Sequence, residues 1–114
     1  MASARLTSGL LVSALIRRVQ SAGGFAAVLH RGDETAGAIL IECVDRGERQ
    51  MLIERATGMD GQEEWRLVAA AQEGDESAHA ERLAKRRRSD PDLWLIELDI
   101  AQAERFAAEI LSTS

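Results

Sequence analysis

Leu93-Trp94-Leu95-Ile96-Glu97-Leu98, introduced by Ser89-Asp90-Pro91-Asp92, is the stretch on which the fold turns. Alternate residues of a strand point to opposite faces. Here Leu93 and Leu95 share one face, and Trp94, Ile96 and Leu98 share the other. A strand that is apolar on both faces sits inside a sheet or under helices. Pro91 bars helix at the residue before it, so a preceding helix must stop near Asp90. Asp99 can cap a final helix, with Gln102 as its capping-box partner. Ile100, Ala103, Phe106, Ala107, Ile110 and Leu111 trace that helix's apolar stripe. The tail Ser112-Thr113-Ser114 is expected to fray.

Working back towards the N-terminus, residues 75–88 show no strand alternation and read as a mostly exposed helix. Acids open it and bases close it, as the helix dipole favours. A thin apolar stripe runs through Ala80, Leu83 and Ala84, and His79 reads as solvated. Before it come four short strand-like runs at 25–31, 35–44, 50–56 and 64–70. Gly- and Asp-containing turns separate them. The first two runs read as a hairpin closed by Arg31-Gly32-Asp33-Glu34, and all four as an antiparallel meander. At the start of the chain, Thr7 or Ser8 can cap a helix with apolar positions at Leu10, Leu11, Ala14, Leu15, Val19 and Ala22. Gly23-Gly24 supplies its left-handed stop. The expected architecture is α+β: one domain over residues 1–114, with a five-stranded, mainly antiparallel sheet and three helices. Their order is α-β-β-β-β-α-β-α. The helices are expected on one sheet face, leaving the other partly open for a protein partner or a second copy.

The chain has 114 residues and a net charge of -5. A hydrophobic fraction of 46% can build a core, which excludes a disordered chain. No apolar run is long enough for a membrane-spanning helix. The charge is unevenly placed. Residues 1–32 hold four arginines (Arg5, Arg17, Arg18, Arg31) and no acid. The other ten cations share residues 33–114 with all nineteen acids. An acid-free, Arg- and Ser-containing start also resembles a targeting segment. Its direct run into a strand favours a structural helix instead. Arg17 and Arg18 are then expected to find counter-charges at Asp90 and Asp92.

Candidate chemistry is sparse. Cys43 is the one cysteine and alternates with Ile39 and Ile41, so it reads as a buried structural thiol. His30 and His79 stand far apart without metal-ligand spacing, and His30 reads as a polar strand-end residue. No metal or cofactor is expected, and no catalytic residue is assigned. Arg31-Gly32-Asp33 spells an integrin tripeptide, but a three-residue match recurs by chance. The basic run Lys85–Arg88 has no interleaved aromatic and belongs to an acidic chain, which argues against nucleic acid. It reads as a solvated helix end. Arg31 and Asp33 in one turn, with Asp90, Asp92 and Trp94 in another segment, form the candidate binding set together with Arg17 and Arg18. Guanidinium groups there could hold a small anion, and Asp90 or Asp92 could act as a base.

The motifs also resemble a known family. Arg5-Leu6, Ala14-Leu15-Ile16-Arg17-Arg18, Ala22-Gly23-Gly24, Arg31-Gly32-Asp33, Ala36-Gly37-Ala38, Trp65, Asp90-Pro91-Asp92-Leu93-Trp94 and Glu97 are similar to the domain of unknown function family 1491. Its members are short, mostly alphaproteobacterial proteins. The resemblance spans nearly the whole chain, which argues against a cleaved N-terminus. It implies a small bacterial cytoplasmic protein and transfers no functional residue. The leading expectation is a non-enzymatic interaction or accessory module. The alternative is a small-anion binder or enzyme between the 31–34 turn and the 90–94 segment.

Overall fold

A computed structural model describes residues 6–71 and 75–112. Arg5 and the Thr113-Ser114 tail lie outside them. The elements run α1 (Ser8–Ser21), β1 (Phe25–His30), β2 (Ile39–Asp45), β3 (Glu48–Thr57), β4 (Glu63–Ala70), α2 (Glu76–Ser89), β5 (Trp94–Asp99) and α3 (Ala103–Ser112). The element order and the five-stranded, mostly antiparallel sheet are those expected.

The pairing differs from a meander. The strand order is β1-β5-β2-β3-β4. β5 lies between β1 and β2, antiparallel to β1 and parallel to β2. The expected β1–β2 hairpin therefore does not form. A strand apolar on both faces gains most from two neighbours, and β5 takes them from β1 and β2. β2 starts at Ile39, because residues 34–36 turn and the chain up to Ala38 stays irregular.

Helices cover both faces, not one. α1 and α3 pack over Ile39, Ile41, Cys43, Ile53, Trp94, Ile96 and Leu98. On the opposite face α2 lays Leu83 against Leu40, Leu52, Ala69, Leu93 and Leu95. The cause lies in β2, where every residue from Ile39 to Val44 is buried. A strand with two buried faces needs cover on both.

Local chemistry sets the helix ends. Thr7 caps α1, its hydroxyl accepting from the Leu10 N–H. Leu11, Val12, Leu15 and Val19 are buried, while Leu10 is turned outward. Gly23 takes φ 90 and ends the helix. Asp99 does not cap α3. Its two carboxylate oxygens instead accept from Arg46 N (2.8 Å) and Gly47 N (3.1 Å). Arg46 and Gly47 both have positive φ, as a tight two-residue β2–β3 turn requires. Asp99 therefore holds a turn in which Arg46 has no intrinsic reason to be left-handed. Trp65 ties β4 to α3 through Nε1–H donated to the Ala107 carbonyl (2.9 Å).

Candidate functional site

The 31–34 turn and the 90–94 segment are in direct contact. Asp33 N–H donates to Asp92 O (2.9 Å), and Trp94 Nε1–H donates to Asp33 O (2.7 Å). His30 Nδ1 lies 2.7 Å from Leu93 O. A carbonyl can only accept, so Nδ1 carries the proton. The approach is close enough to require glycine. A Cβ on either Gly32 or Gly37 would stand 2.3 Å from Asp92 O. Arg31 places its guanidinium carbon 5.5 Å from the Trp94 ring centroid and pairs with Glu34.

Some of the polar groups nominated from sequence hold local structure. Asp33 Oδ2 accepts from Thr35 N and Ala36 N, closing its own turn. Asp90 Oδ1 accepts from Asp92 N at 3.2 Å. Trp94 is 3% exposed. Four of the seven nominated residues thus join two segments by direct contact (Arg31, Asp33, Asp92 and Trp94), and Asp90 shapes one of those segments. Arg17 and Arg18 are placed elsewhere. They sit nine and ten residues past Ser8, about 15 Å along the helix from the end that meets this turn. Arg18 pairs with Glu109 of α3, and Arg17 is exposed. The expected pairing of these arginines with Asp90 and Asp92 is not made. The carboxylate that packing brings to α1 belongs to α3.

Open space lies beside the clasp. A cleft of about 310 Å³ is lined by His30, Ala84, Arg87, Arg88 and Pro91. Arg87 and Arg88 are exposed and end α2. The cleft offers cationic groups and one imidazole to a small anion.

The structure also contains a polar cluster that sequence reading missed. His79 is 5% exposed, not solvated, and its Nε2 lies 2.5 Å from Glu42 Oε2 on β2. Glu42 is itself 8% exposed. Glu42 Oε1 and Arg82 Nη1 are buried without a hydrogen-bond partner among the described residues. One signal was available: Glu42 is the lone charge within Ile39–Val44. A charge in a strand buried on both faces implies a buried partner. Cys43 faces the other way and is fully buried. Burial, then the charges of Glu104 and Glu42, pushes its thiol up to about 12. It is a protonated core group, not a nucleophile, at neutral pH. No three His, Cys, Asp or Glu side chains gather at metal-binding distance among the described residues.

The last unusual feature is an edge. β1 reads Phe25-Ala26-Ala27-Val28-Leu29-His30 and has no Asp, Glu, Lys or Arg. Among the described residues β5 is its one sheet neighbour. Phe25, Val28 and Leu29 are 59%, 43% and 51% exposed. Natural sheets guard their edges with charges or proline, and β1 has neither. The other edge, β4, carries Glu63, Glu64 and Arg66.

Comparison with known proteins agrees with this fold. A DUF1491 family protein from Caulobacter crescentus CB15, solved by crystallography, is 39% identical. The match covers 90% of this chain and 94% of that one, with a TM-score of 0.72. An NMR structure of a DUF1491 family protein from the same organism is 33% identical, covering 91% and 94% with a TM-score of 0.74. The solution structure of protein Atu0922 from A. tumefaciens is 38% identical, covering 84% and 86% with a TM-score of 0.65. A search of curated proteins finds no match. Among the described residues no helix is long and apolar enough to cross a membrane. The family described as "Protein of unknown function (DUF1491)" matches residues 6–108, and the chain belongs to it.

Proposed function

We propose that this chain is a non-enzymatic, cytoplasmic protein-interaction module that works through the free edge of β1. The supporting observation is the edge itself: six residues without Asp, Glu, Lys or Arg, three of them large, apolar and exposed, with no second sheet neighbour among the described residues. Such an edge binds by strand addition, with backbone hydrogen bonds giving affinity and alternate side chains giving selectivity. The single free cysteine fits a reducing compartment.

The test uses an isotope-labelled chain and a synthetic eight-residue Val/Thr strand peptide. Amide shifts should concentrate in β1 and vanish in Val28→Pro. If β1 pairs neither with this peptide nor with another copy of the chain, the edge has no binding role.

A second reading rests on a different observation. His30, Arg87 and Arg88 line the cleft beside Pro91, next to the two segments nominated for anion binding. Inorganic phosphate titrated at low salt should shift the His30 ring resonances and the Arg87 and Arg88 side-chain resonances. An unchanged spectrum in millimolar phosphate would leave the cleft without a ligand.

A further inference from the structure

We propose that the strand added to β1 is β1 of a second copy, giving a continuous ten-stranded sheet across a twofold axis. The inference rests on the interaction reading above and names its partner. Two free edges can meet as antiparallel strands of one sheet only through a twofold perpendicular to it. That operation keeps equivalent faces together, so residues facing each other come from the same face.

The faces of β1 follow from its register. Ala26 and Val28 oppose Leu98 and Ile96, on the side covered by α1 and α3. Phe25 and Ala27 oppose Asp99 and Glu97, on the α2 side. With Ala27 on the axis, Ala26 meets the partner's Val28 and Phe25 meets the partner's Leu29. Each exposed large side chain thereby gains an apolar neighbour. Because residues 25–30 contain no Asp, Glu, Lys or Arg, no such like charges face each other across the axis. The β-bulge after Val28 confines regular pairing to the first four or five residues. An interface this short belongs to the weak, transient class, with a dissociation constant on the order of 0.1 mM.

Sedimentation equilibrium from about 10 µM to 1 mM should show the average mass rising from one chain towards two. Ala27→Lys sets like charges opposite each other on the axis. Glu97 beside it within the same chain offers the new ammonium a partner, so the monomer should stay folded. Association should fall at least about tenfold. Ala27→Cys brings two thiols to facing strand positions, within disulfide reach. It should cross-link on mild oxidation, whereas Leu10→Cys, on α1 and more exposed than Ala27, should not. The native Cys43 is buried and stays silent.

A chain that remains monomeric at 1 mM, with Ala27→Cys linking no faster than Leu10→Cys, overturns self-pairing. If the Val/Thr peptide still shifts β1 in that chain, the interaction reading survives with a different partner. If it does not, both fall.

Discussion

Removing His79 should cost far more than its place on a polar helix suggests. In His79→Ala the Glu42 carboxylate loses the N–H that now sits 2.5 Å from Oε2. Its Oε1 already lacks a partner. The variant leaves a carboxylate under α2 in a residue that is 8% exposed. Breaking a buried pair by deleting one partner costs about 3–5 kcal/mol. Arg82 sits one turn further along the same helix face and can turn towards the bare carboxylate, so the lower end applies, about 3 kcal/mol. A urea m-value of about 1.5 kcal/mol/M makes this a midpoint drop of about 2 M.

The charge argument has its own control. Glu42→Leu combined with His79→Leu removes both partners and fills the space with apolar atoms. That pair of changes should be neutral or stabilising by about 1 kcal/mol. Urea unfolding of Glu42→Leu, His79→Leu and the double variant closes the cycle. A loss below about 1 kcal/mol in His79→Ala would refute burial of the pair. A double variant as weak as the single one would place the cost in packing instead of charge.

Other changes test other contacts. Gly32→Ala drives a methyl group to 2.3 Å from the Asp92 carbonyl, so the clasp must shift. The thermal midpoint should fall by the equivalent of about 2 kcal/mol. Arg18→Ala should cost no more than about 0.5 kcal/mol, because Arg18 and Glu109 are 44% and 52% exposed; a much larger, salt-resistant loss would contradict their solvation. Cys43 links stability to alkaline pH. Its thiol titrates at about 12 in the folded chain and at about 9 when unfolded. Above pH 9 the unfolded chain has released this proton and the folded chain has not. Stability from this group is therefore complete below pH 9 and falls as pH rises towards 12, by up to about 1.4 kcal/mol per unit. Native thiol reactivity at pH 8 should be negligible and appear only with unfolding.

Residue patterns carried the elements further than their pairing. The apolar run Leu93–Leu98 placed β5 inside the sheet, and Gly- and Asp-rich turns separated the strands correctly. Which strands flank β5 depends on contacts more than fifty residues apart, and no local pattern encodes that. The one-sided helix layer failed for a readable reason. Ile39, Ile41 and Cys43 alternate with Leu40, Glu42 and Val44, and the one glutamate disguised a second buried face. His79 was misplaced for the matching reason: its burial comes from a specific partner, not from helix amphipathicity. At the candidate site, Gly32 and Gly37 were the legible sign of close backbone approach. Arg17 and Arg18 do not meet Asp90 and Asp92 because the turn that packs on the 90–94 segment docks at the N-terminal end of α1, a long-range contact that no local pattern encodes.

The position of α2 also bears on the proposed interaction surface. An open sheet face was the expected docking surface, and α2 occupies it. Among its fourteen residues only His79 is buried, and Leu83 is its apolar anchor on the underlying cluster. Arg86 with Glu54 and Arg49 with Glu76 complete its attachment. A helix attached so largely by polar contacts gains little from hydrophobic burial of its own. What it does is cover Leu40, Leu52, Leu93 and Leu95, which would otherwise form a broad apolar patch. Once that face is closed, Phe25, Val28 and Leu29 form the one group of neighbouring exposed large apolar side chains in a strand among the described residues. A narrow, uncharged edge suits a partner that is itself a strand. The proposed recognition surface is thus β1, the strand that β5 separates from its expected hairpin partner.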